Sequence, residues 1–285
     1  MRRRSTLKNK KKAFLNQALL SGPYLLWMAL FILIPLFIIL YYGLTNRDGA
    51  FTLENILEIT NPIYMKSLLL SLKLSLYSTV ICLLLAYPLA MILRSLRLKN
   101  QSLIVMIFIL PMWINFLLRT IAWLTILENN GILNSLLRLL GFEGLHIINT
   151  PAAIVVGMVY DFLPFMILPI YNSLAKIDNN LIAASRDLGA NSLQTFRRIM
   201  LPLSLPGIIS GITMVFIPSL TTFAISQILG GGKQNLIGNF IEQQFLLHYD
   251  WNAGSGLSLV LMVFILISMA FVAKFDKSRE GTNLW

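Results

Sequence analysis

The sequence is short of the residues that build disulfide, metal and redox sites. Its 285 residues include one cysteine, Cys82, so no disulfide framework can form. The two histidines, His146 and His248, lie far apart and lack a metal-ligand spacing. Neither a GxxxxGK(S/T) loop nor a GxGxxG strand–helix turn is present, and no nucleophile–base constellation is recognisable. Catalysis by this chain is therefore not expected, and any nucleotide chemistry belongs to a partner.

Charged residues are also scarce. They make up 12% of the chain, whereas soluble globular domains carry roughly 25%. Hydrophobic residues reach 56%, and the mean hydropathy is +0.73. These values exclude an ordinary soluble domain and predict an all-α membrane protein with several spans.

Six apolar segments are long enough to cross a bilayer as helices, which takes about 20 residues at a rise of about 1.5 Å each. They are Leu20–Leu44, Leu68–Leu93, Ser102–Leu127, Ala152–Tyr171, Leu205–Ile228 and Leu257–Phe275. Several contain proline, which membrane helices tolerate because neighbouring groups satisfy the freed backbone carbonyls. The predicted organisation is a basic arm over residues 1–19, a six-helix domain over residues 20–275 and a tail over residues 276–285.

The placement of basic residues predicts the orientation. If six spans alternate, 17 of the 23 lysines and arginines lie on the side of the N-terminus. The opposite side holds four basic residues and seven of the twelve acidic ones. Because cytoplasmic loops retain lysine and arginine, both termini are predicted to be cytoplasmic. The net charge of +11 therefore indicates sidedness and attraction to anionic lipid rather than nucleic-acid binding.

A polar insert separates the fourth and fifth predicted spans, over residues 173–203. Its core, residues 183–202, reads AASRDLGANSLQTFRRIMLP. Ile182–Leu188 is predicted to be a helix that ends at Gly189, whose missing Cβ permits a left-handed turn. The insert is too polar to span a membrane and too patterned for a plain linker.

A second helix is predicted to follow the glycine directly. Asn191 and Ser192 are both good N-caps for it, and it is expected to run to Met200. Pro202 is predicted to stop it just before the membrane. Together the two helices form an elbow on the cytoplasmic surface.

The elbow resembles the hallmark loop of the transmembrane permease subunits of ATP-binding-cassette importers, which reads E-A-A-x3-G-x9-I-x-L-P. Both the glycine-to-isoleucine and the isoleucine-to-Leu-Pro spacings fit, and so does the position between spans four and five. In that family the loop docks into a groove on the ATPase subunit. The residues to which the resemblance assigns this coupling are Ala183, Ala184, Ser185, Arg186, Asp187, Gly189, Ile199, Leu201 and Pro202.

Two positions depart from the family pattern. Ala183 stands where the family has glutamate, and Ser185 replaces the second motif alanine. Without that carboxylate, coupling is expected to be weaker or to rest on Arg186, Asp187 and Arg197. A solvated amphipathic loop without a docking role is the alternative interpretation of the insert.

The resemblance implies a type I importer permease fold in the bacterial inner membrane. It also implies a sister permease subunit, two copies of an ATPase that binds ATP and magnesium, and an extracellular or periplasmic substrate-binding protein. No cofactor is expected in this chain itself, because the resemblance places the nucleotide on the ATPase.

Three stretches are similar to the spermidine/putrescine permease subunits within this family. They cover residues 109–134, 155–178 and 201–245, and the wider resemblance runs from about Tyr24 to Leu261. A polyamine is therefore the expected substrate. Permeases for thiamine, iron, sulfate or molybdate share the fold and the loop, and they remain alternatives.

One acidic residue, Asp161, lies within a predicted span, close to mid-membrane. An ionised residue there costs about 2.5–3.5 kcal/mol on insertion scales, so it is expected to face the bundle interior. Tyr160 and Phe165 lie nearby in sequence and offer aromatic faces for an ammonium group. A salt bridge with Arg119, predicted at similar depth, is the structural alternative, and the two interpretations are compatible if substrate competes for the carboxylate.

The third predicted span carries a stripe at helical spacing. Trp113, Phe116 and Thr120 fall at i, i+3 and i+7, which is typical of helix packing but also of a lining for a passage. The predicted substrate path comprises Asp161, Trp113, Tyr160, Phe165, Arg119 and Thr120. Two surface helices are expected on the outer side, within Ser135–Leu140 and within Asn235–Leu247.

Two other functional classes fit the sequence less well. A secondary carrier needs no ATPase, but such proteins usually show acid networks or broken-helix repeats, and here one intramembrane acid and no duplication are visible. A scaffold protein would not need the elbow.

Overall fold

The computed structural model describes residues 22–95, 106 and 110–280, apart from the side chains of residues 273 and 275–280. The basic arm and the last part of the tail lie outside the described residues. The helices are α1 Gly22–Gly43, α2 Glu54–Leu57, α3 Pro62–Ser95, α4 Phe116–Leu127, α5 Ile132–Leu139, α6 Pro151–Ala175, α7 Asn179–Asp187, α8 Ser192–Thr221, α9 Ala224–Leu229, α10 Ile237–Leu246 and α11 Trp251–Glu280. Within these residues no strand forms, and one isolated bridge joins Thr45 to Phe51. The all-α prediction is confirmed.

Five of the described helices are long and apolar enough to cross a membrane, namely α1, α3, α6, α8 and α11. The single third span predicted over Ser102–Leu127 is wrong for its described part. There the chain forms a short 3-10 turn, Leu110–Trp113, and then the 12-residue helix α4. Asn115 causes the interruption, because it is extended (φ −50°, ψ 129°) and its side chain caps α4 by accepting from Leu117 N at 2.8 Å.

The fifth span also differs from its prediction over Leu205–Ile228. Helix α8 stops at Thr221, because Thr222 has a ψ of 141°, and α9 starts afresh at Ala224. Unlike the predicted span, α8 begins in the elbow at Ser192 and is continuous into the apolar region.

Two wide turns allow helices α1 and α8 to pass through an internal proline. A π-helical turn over Ala29–Leu33 precedes Pro35, and another over Phe196–Met200 precedes Pro202. Proline lacks an N–H donor and its ring collides with the carbonyl four residues back. A π-turn widens the helix at that carbonyl. The prediction that Pro202 stops the second elbow helix is therefore wrong. That helix is the first part of α8 and continues past Pro202 into the apolar region.

The core of the bundle is the packing of α3, α6 and α8. Its largest buried cluster includes Ala86 and Ala90 of α3, Met166 and Ile170 of α6, and Val215 of α8, all with no exposed surface. Small buried residues let the helices approach closely, as is common in membrane bundles. This core joins the elbow-bearing helix to the helix that carries Asp161.

The tightest approach in this core lies at Gly207 of α8. A Cβ built there would sit 2.4 Å from the carbonyl oxygen of Pro169 and 2.6 Å from Oγ of Ser173, both on α6. Because a backbone atom cannot swing aside, Gly207→Ala is expected to lower the free energy of unfolding by about 1–3 kcal/mol. The measurement is the thermal unfolding midpoint of the purified protein.

Gly22 provides the matched control, because a Cβ built on it meets no atom within 4 Å among the described residues. Gly22→Ala should leave the midpoint unchanged or raise it, since alanine is the better helix former. Equal effects of the two substitutions would contradict the packing described here.

Helix α1 packs along α11 and otherwise shows an apolar, unburied surface. A polar cluster fixes the loop that follows it. Arg47 Nη2 donates to Asp250 Oδ2 at 2.6 Å, and Asn252 Nδ2 donates to the Thr45 carbonyl at 2.6 Å. Burial raises the pKa of Asp250, but the hydrogen bonds from Ala253 N–H and Arg47 outweigh it and hold the pKa below its ordinary value.

Candidate functional site

The elbow is built from α7, a glycine turn and the first turns of α8. Asp178 caps α7 by accepting from Asn180 N at 2.9 Å, so the helix starts earlier than predicted. Gly189 has φ +81°, which confirms the predicted left-handed turn. Asn191 and Gln194 form a reciprocal capping box with contacts of 2.8 and 2.9 Å, which confirms Asn191 as the start of the second helix.

A hydroxyl contact ties the two arms of the elbow together. Ser185 Oγ and Thr195 Oγ1 lie 3.0 Å apart, and both side chains are buried. A serine at this motif position therefore replaces an alanine methyl with a hydrogen bond across the bend. The angle between the arms is fixed by this bond and by the turn at Gly189.

The elbow contacts the rest of the bundle through the C-terminal part of α3. Arg94 Nη2 donates to the Ile177 carbonyl at 2.9 Å and to Asn179 Oδ1 at 3.1 Å. The Tyr87 ring meets Phe196 edge-on at 5.6 Å between centroids. These contacts place the end of α3, the elbow and the start of α8 at one end of the bundle, which is called the elbow end below.

The motif residues fall into an exposed and a buried group. Ala183, Ala184, Arg186, Asp187 and Gly189 are exposed on the elbow. Ser185 is buried, and Ile199, Leu201 and Pro202 are partly buried. The exposed group forms the surface available to a partner, and the buried group anchors it.

Leu188 was not predicted to matter, yet it is the most exposed large apolar side chain of the elbow, at 89%. It borders a crease of about 330 Å³ together with Gly189, Thr195 and Ile199. Its position at the C-terminal end of α7, beside the glycine, was the available signal. An exposed apolar side chain beside a concave crease offers a contact surface for a partner.

A second cavity, of about 630 Å³, lies between the elbow and the end of α3. Ala183 lines it together with Arg94 and Arg186. The position where the related loops carry glutamate therefore shares a cavity with two arginines in this chain.

The second candidate site surrounds Asp161, ten residues into the 25-residue helix α6 and thus about 15 Å from its start. The carboxylate is 2% exposed. Its Oδ1 lies 3.3 Å from Arg119 Nη1, and its Oδ2 lies 3.2 Å from Thr120 Oγ1. Three of the predicted path residues are thus brought together, and the predicted Arg119–Asp161 pair exists.

The Arg119 and Asp161 side chains lie close together, but several of their polar atoms lack a hydrogen bond. Nε and Nη1 of Arg119 and Oδ1 of Asp161 make no hydrogen bond of good geometry within the described residues, although Arg119 is only 9% exposed. The single Thr120 hydroxyl proton is shared, since Oγ1 also lies 2.9 Å from the Phe116 carbonyl. A buried carboxylate with such incomplete bonding retains capacity for another donor.

Arg119 also lines a cavity of about 260 Å³ beside the pair. Tyr160 and Trp123 form one wall, with their rings edge-on at 5.3 Å between centroids. The cavity therefore offers two aromatic rings next to the ion pair.

Two predicted path residues are not part of this arrangement. Trp113 ends the 3-10 turn before α4 and is 75% exposed, so the predicted stripe with Phe116 and Thr120 does not lie on one helix. Phe165 lies one turn after Asp161 on α6 and is 36% exposed.

The comparisons with known proteins agree with this architecture. Residues 12–280 match the family described as binding-protein-dependent transport system inner membrane component. The chain belongs to that family, which confirms the resemblance found in the elbow. With five described apolar helices, it is a multi-pass protein of the bacterial inner membrane.

Two individual relatives have names that state a substrate. The spermidine/putrescine transport system permease protein PotB of Haemophilus influenzae is 39% identical over 249 residues, which cover 85% of this chain and 87% of that protein. PotB of Escherichia coli K12 is 40% identical over 245 residues, covering 83% and 89%. A solved bacterial ABC transporter involved in the import of the polysaccharide alginate contains a chain that superposes with a TM-score of 0.80, covering 96% of this chain and 99% of its own. At 16% identity, that likeness shows the fold alone.

Proposed function

We propose that this chain is a permease subunit of an ATP-driven importer for polyamines such as spermidine and putrescine. The observation that carries the proposal is the identity of 39–40% to spermidine/putrescine permeases over more than four fifths of the chain. The chain itself is a transport subunit rather than an enzyme, and ATP and magnesium bind to the partner ATPase.

The proposed assembly contains this chain, a sister permease of similar build, two ATPase copies and an external substrate-binding protein. In the membrane, we propose five continuous spans and a third segment that crosses although it is interrupted at Asn115. Six crossings with both termini in the cytoplasm place the elbow end on the ATPase side. The basic arm over residues 1–19 and the tail over residues 276–285 then lie in the cytoplasm, beside anionic lipid.

Coupling is proposed to run through the elbow as a rigid lever. Leu188 and Gly189 dock in a groove of the ATPase, and the contacts of Arg94 and Phe196 pass its displacement to α3. Because α8 is continuous from Ser192 to Thr221, the same displacement moves a helix packed along α6. Closure of the ATPase thereby changes the surroundings of Asp161.

Asp161 is proposed to receive one ammonium group of the substrate. Arg119 serves as its counter-ion when no substrate is present, because a buried carboxylate without a partner is costly. An arriving ammonium group competes with the guanidinium, and the rings of Trp123 and Tyr160 offer cation–π contacts beside it.

The test is ATP hydrolysis by the complete complex reconstituted in liposomes with its binding protein. Spermidine and putrescine are expected to stimulate hydrolysis, and thiamine is not. Stimulation by thiamine, iron, sulfate or molybdate in place of polyamines would move the chain to another substrate within the same family.

Restoring the family's carboxylate gives a separate prediction about coupling. Ala183→Glu is expected to preserve or raise polyamine-stimulated hydrolysis, because the new carboxylate enters a cavity that Arg94 and Arg186 also line and can pair with a guanidinium there. Ala183→Gln is the control of equal size without charge. A loss of uptake by the glutamate variant, with the complex still assembled, would refute the prediction.

A further inference from the structure

The cavity between the elbow and the end of α3 has the composition of an anion site. It has a volume of about 630 Å³, and seven of its twelve lining residues carry polar side chains. Two of these, Arg94 of α3 and Arg186 of α7, are positively charged, and no acidic residue of the described chain lines the cavity. An anion that enters it therefore meets two arginines and no carboxylate in the wall.

Neither arginine is neutralised within the described chain. The ion pairs found among the described residues involve neither of them. Arg94 donates to neutral oxygens, the Ile177 carbonyl and Asn179 Oδ1. The Arg186 guanidinium has no hydrogen-bond partner in the part of the chain that the structure describes. Ala183 lines the same cavity and supplies no charge.

Acidic residues are scarce on the whole elbow side of the chain. Residues 1–21 and 96–109 contain no aspartate or glutamate, and four acidic residues stand against 17 lysines and arginines on that side. Asp178 caps α7 by accepting from Asn180 N, and Asp187 is exposed. Neither lines the cavity. This shortage favours an anion from outside the chain.

Helix α3 places the cavity at the level of the lipid headgroups. Residues 74–93 carry no charge, and this run of 20 residues extends about 30 Å at about 1.5 Å each, the thickness of a typical hydrocarbon core. Lys73 and Arg94 border the run, so Arg94 lies where α3 leaves the hydrocarbon. Met91 and Met200 add apolar surface to the same cavity. Basic pockets beside membrane helices with such walls suit the headgroups of anionic lipids.

The cavity and the crease at Leu188 use different faces of α7. Ser185 and Leu188 line the crease, whereas Ile182, Ala183 and Arg186 line the cavity. Successive residues turn by about 100° around a helix, so Arg186 and Leu188, two positions apart, lie on nearly opposite sides of it. A protein partner can therefore occupy the crease while a lipid occupies the cavity.

We infer that this cavity binds the phosphate of an anionic phospholipid from the leaflet at the elbow end. Arg94 and Arg186 donate charge-assisted hydrogen bonds to the phosphate oxygens, and the apolar wall contacts the start of an acyl chain. The phosphate thereby links α3 to α7 beside Ala183, where the related loops carry a carboxylate. Its effect on coupling rests on the proposed function, whereas lipid binding itself does not.

The test is lipid retention by the full chain in a neutral detergent, measured by native mass spectrometry. With phosphatidylglycerol and phosphatidylcholine at equal concentration, retention of phosphatidylglycerol is expected to be about tenfold higher, the effect of one charge-assisted hydrogen bond. Arg186→Gln should remove this preference. Lys176→Gln removes the same charge at an exposed position beside the elbow that does not line the cavity, and it should keep the preference.

A second pair of variants tests the link to the missing carboxylate. Ala183→Glu adds a negative charge to the cavity wall, so it is expected to lower the retention of phosphatidylglycerol about tenfold. Ala183→Gln has the same size without the charge and should retain the lipid as the wild type does. Equal effects of the two substitutions contradict the inference.

Four further results overturn the lipid site. They are equal retention of both lipids by the wild type, an equal loss in Arg186→Gln and Lys176→Gln, displacement of the lipid by inorganic phosphate at equal concentration, and retention by the full chain but not by the complete complex. The last would show that the ATPase fills the cavity. Retention by the complex without any polyamine-stimulated hydrolysis supports the lipid site and overturns polyamine import.

Discussion

Asp161→Asn is expected to raise the transport KM for spermidine by at least about tenfold, because the substrate's ammonium group loses a buried ionic partner. The yield of assembled complex should fall as well, since the change leaves Arg119 buried without its counter-ion, which in protein interiors costs about 3–5 kcal/mol. Uptake of labelled spermidine by liposomes that contain equal amounts of assembled complex gives the KM free of the yield effect.

Companion variants separate substrate binding from helix packing. Arg119→Gln removes the competing cation, so its KM is expected to stay the same or fall. The double variant, Arg119→Gln with Asp161→Asn, removes both charges and should recover assembly while keeping the raised KM. A double variant with the KM of the wild type would show that the pair is purely structural.

Gly189→Ala is expected to lower spermidine-stimulated ATP hydrolysis by roughly tenfold. A non-glycine residue in the left-handed conformation costs about 1–2 kcal/mol, and 1.4 kcal/mol corresponds to a factor of ten. A Cβ built on Gly189 meets no atom within 4 Å of the described chain, so the effect arises from the backbone and not from crowding inside this subunit. The measurement is hydrolysis by the complete complex with and without spermidine.

Two controls define the cause of that effect. Asparagine tolerates the left-handed region better than alanine, so Gly189→Asn should retain more coupling although its side chain is larger. Gly141 has the same φ of +81° and equally open surroundings, yet it lies outside the elbow. Gly141→Ala should leave coupling intact, and a loss that grows with side-chain size at position 189 would contradict the explanation.

The elbow could be predicted well because its determinants are local. A left-handed glycine and an Asn–Gln capping box depend on a few neighbouring residues, and both were predictable from the sequence or its spacing. The fate of Pro202 was not, because a proline stops a helix or passes through a π-turn according to the packing around it.

The broken helices were harder to predict for a related reason. Hydropathy indicates whether a segment is apolar. Its average over a span changes little when one residue, such as Asn115 or Thr222, adopts an extended backbone inside an apolar run. The apolar run of Leu205–Ile228 therefore fits one span, and its break at Thr222 is not visible in the sequence.

Residues of the substrate path were predictable only where a buried charge required a position inside the bundle. Asp161 had to face the interior, and its partner Arg119 followed from its depth on a neighbouring helix. Thr120 was placed in the path by helical periodicity, and its contact with Asp161 was not predicted. Trp113 was assigned by helical periodicity, which fails beyond the 3-10 turn. Glu242 lies in a segment predicted to be a surface helix, and its hydrogen bond with Gln227 of α9 depends on tertiary packing that periodicity does not encode.

Uptake of labelled spermidine tests the proposed lever most directly when this polypeptide, reconstituted alone, is compared with the complete complex. Because the elbow only transmits work done by another subunit, uptake is expected with the complex and ATP, and none is expected for the chain alone or with a nonhydrolysable nucleotide. Sustained uptake by the isolated chain without nucleotide would contradict the account.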